Sequence, residues 1–239
     1  MVQPEPEEVN MEFRPIKIKN ETEQMVEQFE RAILTGELTI GEQLPSEREL
    51  ADQLQISRAS VNRGLQCLSR RGFILIKPRQ GNFVANYNEN GNLETLNEII
   101  NFNGGTYRPS LLHSIFDVRR LFENDMIAQC NDSEKLIAVK RAFAKLQMAD
   151  SVTEKAEQSF WFYHQIAVAS GNSVYPLLIL HFKSIYLTLG RWLIQSGDGP
   201  ALERGLATVL AALQAENPTL ARQRNNTLID FCLSSLLAA

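Results

Sequence analysis

The sequence predicts a mainly α protein, with an N-terminal winged helix-turn-helix followed by a C-terminal all-α helical bundle. Three observations carry this reading. Residues 44–71 hold two short amphipathic runs around a tight turn, LPSERELADQLQ and ISRASVNRGLQCLSRR. Residues 73–85 then alternate like a small β-ribbon around Pro78 and Gly81. From Leu93 onward the apolar residues recur at helical spacing, with no strand-like stretch.

Each element has its own signal. Residues 1–12 begin MVQPEPEEVN, acidic and proline-containing, the composition of a disordered tail. A first helix runs from Glu21 to Leu34, with Asn20 as N-cap, Met25, Phe29, Ile33 and Leu34 as its apolar stripe, and Gly36 at its end. Ser46 and Glu49 form a capping box that starts a second helix. Gln55 lies in the turn, and Ser57 caps a third helix from Arg58 to Arg71, stopped by Gly72. Phe73–Lys77 and Phe83–Ala85 read as the two strands of the wing, completing a domain over 13–85. The polar run 86–92 reads as a linker. Over 93–239, breaks at Gly104-Gly105, Asn131-Asp132, Gly171-Asn172, Gly197 to Pro200 and Asn217-Pro218 leave six or seven helices around a shared core.

Charge distribution says more than total charge. The 239-residue chain is net −4, yet between Asp52 and Glu89 lie Arg58, Arg63, Arg70, Arg71, Lys77 and Arg79 with no acid among them. A surface that faces phosphates needs such a stretch, because each anion there repels the DNA backbone. In a helix-turn-helix the first residues of the second helix enter the major groove. Arg58 and Ser60 stand there, Asn62 and Arg63 one turn on, and Arg48 precedes them on the neighbouring helix. Arg reads guanine and Asn reads adenine with paired hydrogen bonds. Lys77 and Arg79 flank the wing tip, where they reach the minor groove or its phosphate walls. Arg70 and Arg71 sit at a helix C-terminus, where the dipole alone favours a cation.

Other classes are weakly supported. No apolar run approaches the ~20 residues of a membrane span, and no secretory signal opens the chain. Cys67, Cys130 and Cys232 are too scattered for a disulfide framework or a zinc site. A cytoplasmic protein with reduced thiols is expected. No nucleophile elbow or phosphate loop occurs, and Asp117, Glu123 and Asp125 lack the spacing of a paired-carboxylate site, so no enzyme is expected.

The run LPSERELADQLQISRASV, followed by RRGFILIKPRQGNFV, resembles the DNA-binding domain of GntR-family bacterial transcription regulators. The resemblance implies a homodimer on a palindromic double-stranded operator, with Arg48 and Arg58 as base-reading residues. Where that family usually carries Arg then Glu, this chain has Asn62 and Arg63. The helical half resembles the FadR subfamily, in which it serves as an effector domain. FDVRRLFE at 116–123 and IAVASGNSVYPLLILHFKSIYLTLGR at 166–191 resemble its fatty-acid-responsive branch.

That resemblance implies a long-chain acyl-CoA effector. Phe160, Phe162, Leu177, Leu178, Ile185 and Leu189 are candidate walls, and Arg119, Lys183, Tyr186, Arg191 and Trp192 candidate ligand contacts. Many subfamily members instead bind a metal through one Asp and three His. Here the first two of those positions fall on Ser159 and Tyr163, no histidine follows His181, and no metal or other cofactor is expected. The alternative effector is a small organic or sugar acid.

Overall fold

The computed structural model describes residues 20–102, 109–130 and 134–238. The expected tail and the breaks at Gly104-Gly105 and Asn131-Asp132 lie outside these residues. The chain divides into two compact units that meet between Asn90 and Gly91.

The first unit is a three-helix cluster with a wing. Helix α1 (Glu21–Thr35) opens with a complete capping box between Asn20 and Glu23. Helix α2 (Glu47–Leu54) opens with the Ser46–Glu49 box. Gln55 takes a left-handed conformation (φ 53°) that turns the chain into α3 (Arg58–Arg70). Met25, Phe29, Ile33, Leu50, Val61, Leu65 and Leu68 form the shared core. Gly64 lets α3 lie close on α1, since a Cβ there would stand 2.7 Å from Met25 Sδ.

Strands β1 (Ile74–Lys77) and β2 (Gly81–Val84) pair antiparallel, with Lys77 opposite Gly81. The ribbon is therefore longer on its second side than the sequence indicates, and Gly81 belongs to a strand, not to the tip. A further edge was not expected. The Leu44 amide donates to Asn82 (2.8 Å) and the Val84 amide to Glu42 (2.8 Å), so residues 41–44 brace β2. The polar run after β2 is not all linker either. It forms a helical turn, α4 (Tyr87–Asn90), and Tyr87 packs on Phe73 at 6.2 Å between ring centres.

The second unit is all helical: α5 (Leu93–Phe102), α6 (Pro109–Gln129), α7 (Leu136–Met148), α8 (Val152–Ala169), α9 (Tyr175–His181), α10 (Lys183–Leu193), α11 (Gly199–Gln214) and α12 (Pro218–Ala238). Among the described residues that is eight helices, more than the six or seven expected. The chain also breaks between α7 and α8, where Ser151 and Glu154 form a capping box, and at Phe182 between α9 and α10. A π turn at Ile194–Asp198, with Gly197 at φ 96°, joins α10 to α11. Phe116, Met126, Ile127, Phe160, Phe162 and Ile166 are all but fully buried and form the centre of one core.

Candidate nucleic-acid interface and effector site

In the first unit Arg48, Arg58, Asn62, Arg63, Lys77 and Arg79 are all solvent-exposed. Arg58 is the first residue of α3 and carries no acid in its turn. Arg63 Nη2 donates to Ser60 Oγ at 3.1 Å, and Asn62 Nδ2 donates to Glu47 Oε1 at 3.0 Å. Pairing Asn62 with a base would require it to release Glu47.

Ser60 is corrected. It is 5 % exposed, its hydroxyl lies 2.9 Å from that of Ser57, and it reaches Glu21 on α1 at 3.3 Å. It lies on the inward face of α3 because its helical neighbours Val61 and Gly64 both pack on the core. Arg71 also faces inward, paired at 2.7 Å with the buried Glu30.

The wing tip is Pro78-Arg79-Gln80. The Gln80 amide donates to Lys77 O at 3.1 Å, and Arg79 takes φ 63°. Proline followed by a positive φ is the pattern of a type II turn, which ordinarily places glycine at the second position. Arginine there costs about 1 kcal/mol or more of backbone strain, so the tip holds a cation at some expense to the fold. Gln43 Nε2 donates to Gln80 O at 2.9 Å and fixes the tip from below. Lys77 lies over the Phe83 ring, 4.6 Å from its centre.

The second unit encloses a buried polar cluster that joins four helices. Arg119 and Glu123 are one turn apart on α6, with Nε to Oε1 at 2.8 Å, and the Glu123 side chain is fully buried. Tyr186 of α10 donates to Glu123 Oε1 at 2.6 Å. Asn225 of α12 donates to Glu123 Oε2 at 3.1 Å and accepts from the Tyr163 hydroxyl of α8 at 2.8 Å. The Arg119 guanidinium lies over the rings of Tyr186 (4.5 Å), Phe116 (5.0 Å) and Tyr163 (5.8 Å).

Burial opposes the Arg119 charge, but Glu123, with Tyr186 and Tyr163 behind it, outweighs burial and holds its pKa above the ordinary arginine value. Burial, then Glu123, pushes both tyrosines well above the ordinary phenol range, so they remain donors. Burial likewise lifts the neighbouring Cys232 thiol to about 12.

Among the described residues two cavities adjoin this cluster, and Arg119 and Tyr186 line both. The larger, about 160 Å³, is otherwise walled by hydrocarbon, including Leu96 of α5, Ile115 and Phe122 of α6, Leu178 of α9 and Ile185 of α10. The smaller, about 30 Å³, lies against Ser159, Phe160, Leu189 and Cys232. Of the expected walls, Leu178 and Ile185 line the first and Phe160 and Leu189 the second. Phe162 instead packs on Phe143, and Leu177 is 60 % exposed.

Three expected ligand contacts lie outside both cavities. Lys183, Arg191 and Trp192 belong to neither lining. Lys183 starts α10 and is held by Glu157 at 3.1 Å and the Trp161 ring at 4.9 Å. Arg191 and Trp192 lie on α10 one and two residues past Gly190, whereas Tyr186, Leu189 and Gly190 form its inward face. Ser159 and Tyr163, where the resemblance places the first metal ligands, border the smaller cavity, and a serine with a phenol that remains protonated is a poor donor pair for a metal ion. His164 points elsewhere, against Trp161 at 4.9 Å, with both ring nitrogens buried and unpartnered. Asn225 was not legible as a site residue, since a lone amide within a helix carries no sequence signal. Arg119 and Glu123 have one in their four-residue spacing.

Comparison with known proteins identifies the family. Residues 21–84 match the model of bacterial regulatory proteins of the gntR family, and residues 85–218 match that of the FadR C-terminal domain. The HTH-type transcriptional regulator Mce2R of Mycobacterium tuberculosis is 26 % identical over 235 residues, covering 95 % of this chain and 96 % of that protein. A fatty acid metabolism regulator protein of Shewanella pealeana is 28 % identical over 174 residues, 72 % of each chain. The solved structure of Lar from Listeria monocytogenes shares the fold, with a TM-score of 0.64 at 14 % identity, over 93 % of this chain and 99 % of that one.

Proposed function

Because the chain belongs to the GntR family of DNA-binding transcriptional regulators, with the C-terminal domain of the FadR subfamily, we propose that it senses long-chain acyl-CoA and adjusts operator binding to fatty-acid supply. The observation that supports this effector class is the larger cavity. Its walls are hydrocarbon apart from one polar corner, Arg119 and Tyr186. An acyl chain fits such walls, and its carbonyl can accept a hydrogen bond at that corner. A small organic or sugar acid needs several donors around it, and this lining offers two polar side chains.

In this reading the protein works in the cytoplasm as a homodimer on a palindromic site. Arg48 and Arg58 read bases, Asn62 and Arg63 complete the groove-facing set, and Lys77 and Arg79 hold the wing on the DNA. The cavity of about 160 Å³ is below the roughly 300–1,000 Å³ usual for ligand sites. A long chain therefore enters only if α9 and α10 move off α6. That displacement is the proposed link between occupancy and affinity for DNA, and a half-site geometry fixed by the duplex amplifies small movements.

A thermal-shift titration tests the effector, using long-chain acyl-CoA, free CoA, the free fatty acid, and zinc with citrate. A ligand at a hundred times its Kd adds about 2.7 kcal/mol of stability. A saturable rise with acyl-CoA, accompanied by weaker binding to an operator selected from random DNA, is the expected result. A response to zinc and citrate alone, or unchanged operator affinity at saturating acyl-CoA, would overturn it.

A further inference from the structure

Among the described residues the larger cavity has one cation in its lining, Arg119, and that cation is already neutralised. Glu123 pairs with it at 2.8 Å from a fully buried position behind the cavity wall. Each oxygen of Glu123 is also occupied, Oε1 by the Tyr186 hydroxyl and Oε2 by the Asn225 amide. The pair therefore presents a ligand with a polar but uncharged corner. The guanidinium carries five N–H donors; its bond to Glu123 through Nε uses one, and the Tyr186 hydroxyl engages it as well. Hydrogen bonding to a ligand oxygen remains available, whereas an unbalanced positive charge does not.

An anion brought into an apolar enclosure needs a counter-charge that is not already matched, and without one it binds poorly or only with a proton. We propose that Glu123 sets the charge class of the effector: by neutralising Arg119 it makes the polar corner select an acyl group with an uncharged head, such as a thioester, over the same chain ending in a carboxylate or an ammonium. The inference rests on the acyl-binding reading above and adds a residue that governs specificity without touching the ligand. Glu123 is thus a positioning residue. It orients the guanidinium and the Tyr186 hydroxyl, and its charge determines which ligand heads bind beside them.

A series of three ten-carbon ligands tests this: the decanoyl thioester of N-acetylcysteamine, decanoate and decylammonium. None carries the phosphates of CoA, so binding reports on the cavity alone. Affinities are read from the change in tryptophan fluorescence and, independently, from the shift in Tm. The wild-type protein provides the first half and needs no variant. The thioester is expected to bind at least about tenfold more tightly than either charged ligand.

Glu123→Gln provides the second half. It keeps the shape and one acceptor but leaves Arg119 unneutralised, so decanoate is expected to overtake the thioester. A variant that had only lost packing would weaken all three ligands together. Equal affinities for the three ligands in the wild type would overturn the proposal, as would an unchanged preference in a folded Glu123→Gln protein. Binding of none of the three would remove the acyl reading itself, and this inference with it.

Discussion

The two units of this chain place the charges of their candidate sites in opposite ways. In the N-terminal unit Arg48, Arg58, Arg63, Lys77 and Arg79 stand in solvent on short helices and a hairpin tip. In the C-terminal unit Arg119 and Glu123 face inward, with the acid fully buried and bonded to residues from two other helices. Exposed cations are screened by salt and contribute to DNA binding in graded, separable amounts. A buried pair is insensitive to salt, and its members cannot be removed one at a time without a large penalty. The reader of DNA can therefore change residue by residue, whereas the sensor changes as a set.

Glu123→Ala challenges this contrast most strongly. It strands Arg119 and removes the partner of Tyr186 and Asn225, and an expected loss of about 3–5 kcal/mol in urea unfolding follows from breaking a buried pair. A loss below 1 kcal/mol would show that the cluster is as separable as the DNA-facing surface. Arg58→Ala comes next. Unfolding should be unchanged while operator binding weakens by about 1–3 kcal/mol, the worth of a base-reading arginine. Equal weakening on operator and random DNA would reduce Arg58 to a phosphate contact.

Arg79→Gly sharpens the comparison because its two effects have opposite signs. Glycine accepts the positive φ of the tip, so stability stays level or rises by up to about 1 kcal/mol. The lost phosphate contact lowers the slope of log affinity against log salt by about 0.9. Fluorescence anisotropy at several salt concentrations gives the slope, and thermal unfolding gives the stability.

His164 supplies the smallest effect. Burial, then Lys183, holds its pKa below the ordinary 6.5. The unfolded chain then takes up a proton more readily than the folded one, so stability is unaffected above about pH 6.5 and falls as pH drops below it. His164→Leu should flatten this acid limb and cost little at pH 8, since both ring nitrogens lack partners. An unchanged acid limb would place the sensitivity elsewhere.

Much of the N-terminal unit is legible in sequence because its signals are local. Asn20, Ser46 and Ser57 cap the helices expected of them, and Gly36 and Gly72 end them. The capping box of Ser151 and Glu154 has the same form, yet the gap between α7 and α8 lacks glycine and proline and reads as continuous helix. Ser60 faces the core because the two residues from Arg58 turn a side chain about 200° along α3, from solvent to α1, and the partner that claims it, Glu21, is 39 residues away.

The effector site is legible only in part for the same reason. Arg119 and Tyr186 stand out through resemblance, but what holds them is a contact among α6, α8, α10 and α12 that no local pattern encodes. Lys183 and Arg191 are expected as cations for the CoA phosphates and Trp192 from its nearness to Tyr186 along the chain, and all three lie outside the lining of the larger cavity.

The single carboxylate of Glu123 receives bonds from α6, α10 and α12, and through Asn225 it reaches Tyr163 on α8. Amide protons on these four helices near the cluster should exchange with deuterium at one common rate, because none of the helices can open without exposing a charge that the other three enclose. A ligand that parts α10 from α6 would then be visible from a distance, as faster exchange on α12, a helix the cavity of about 160 Å³ does not touch.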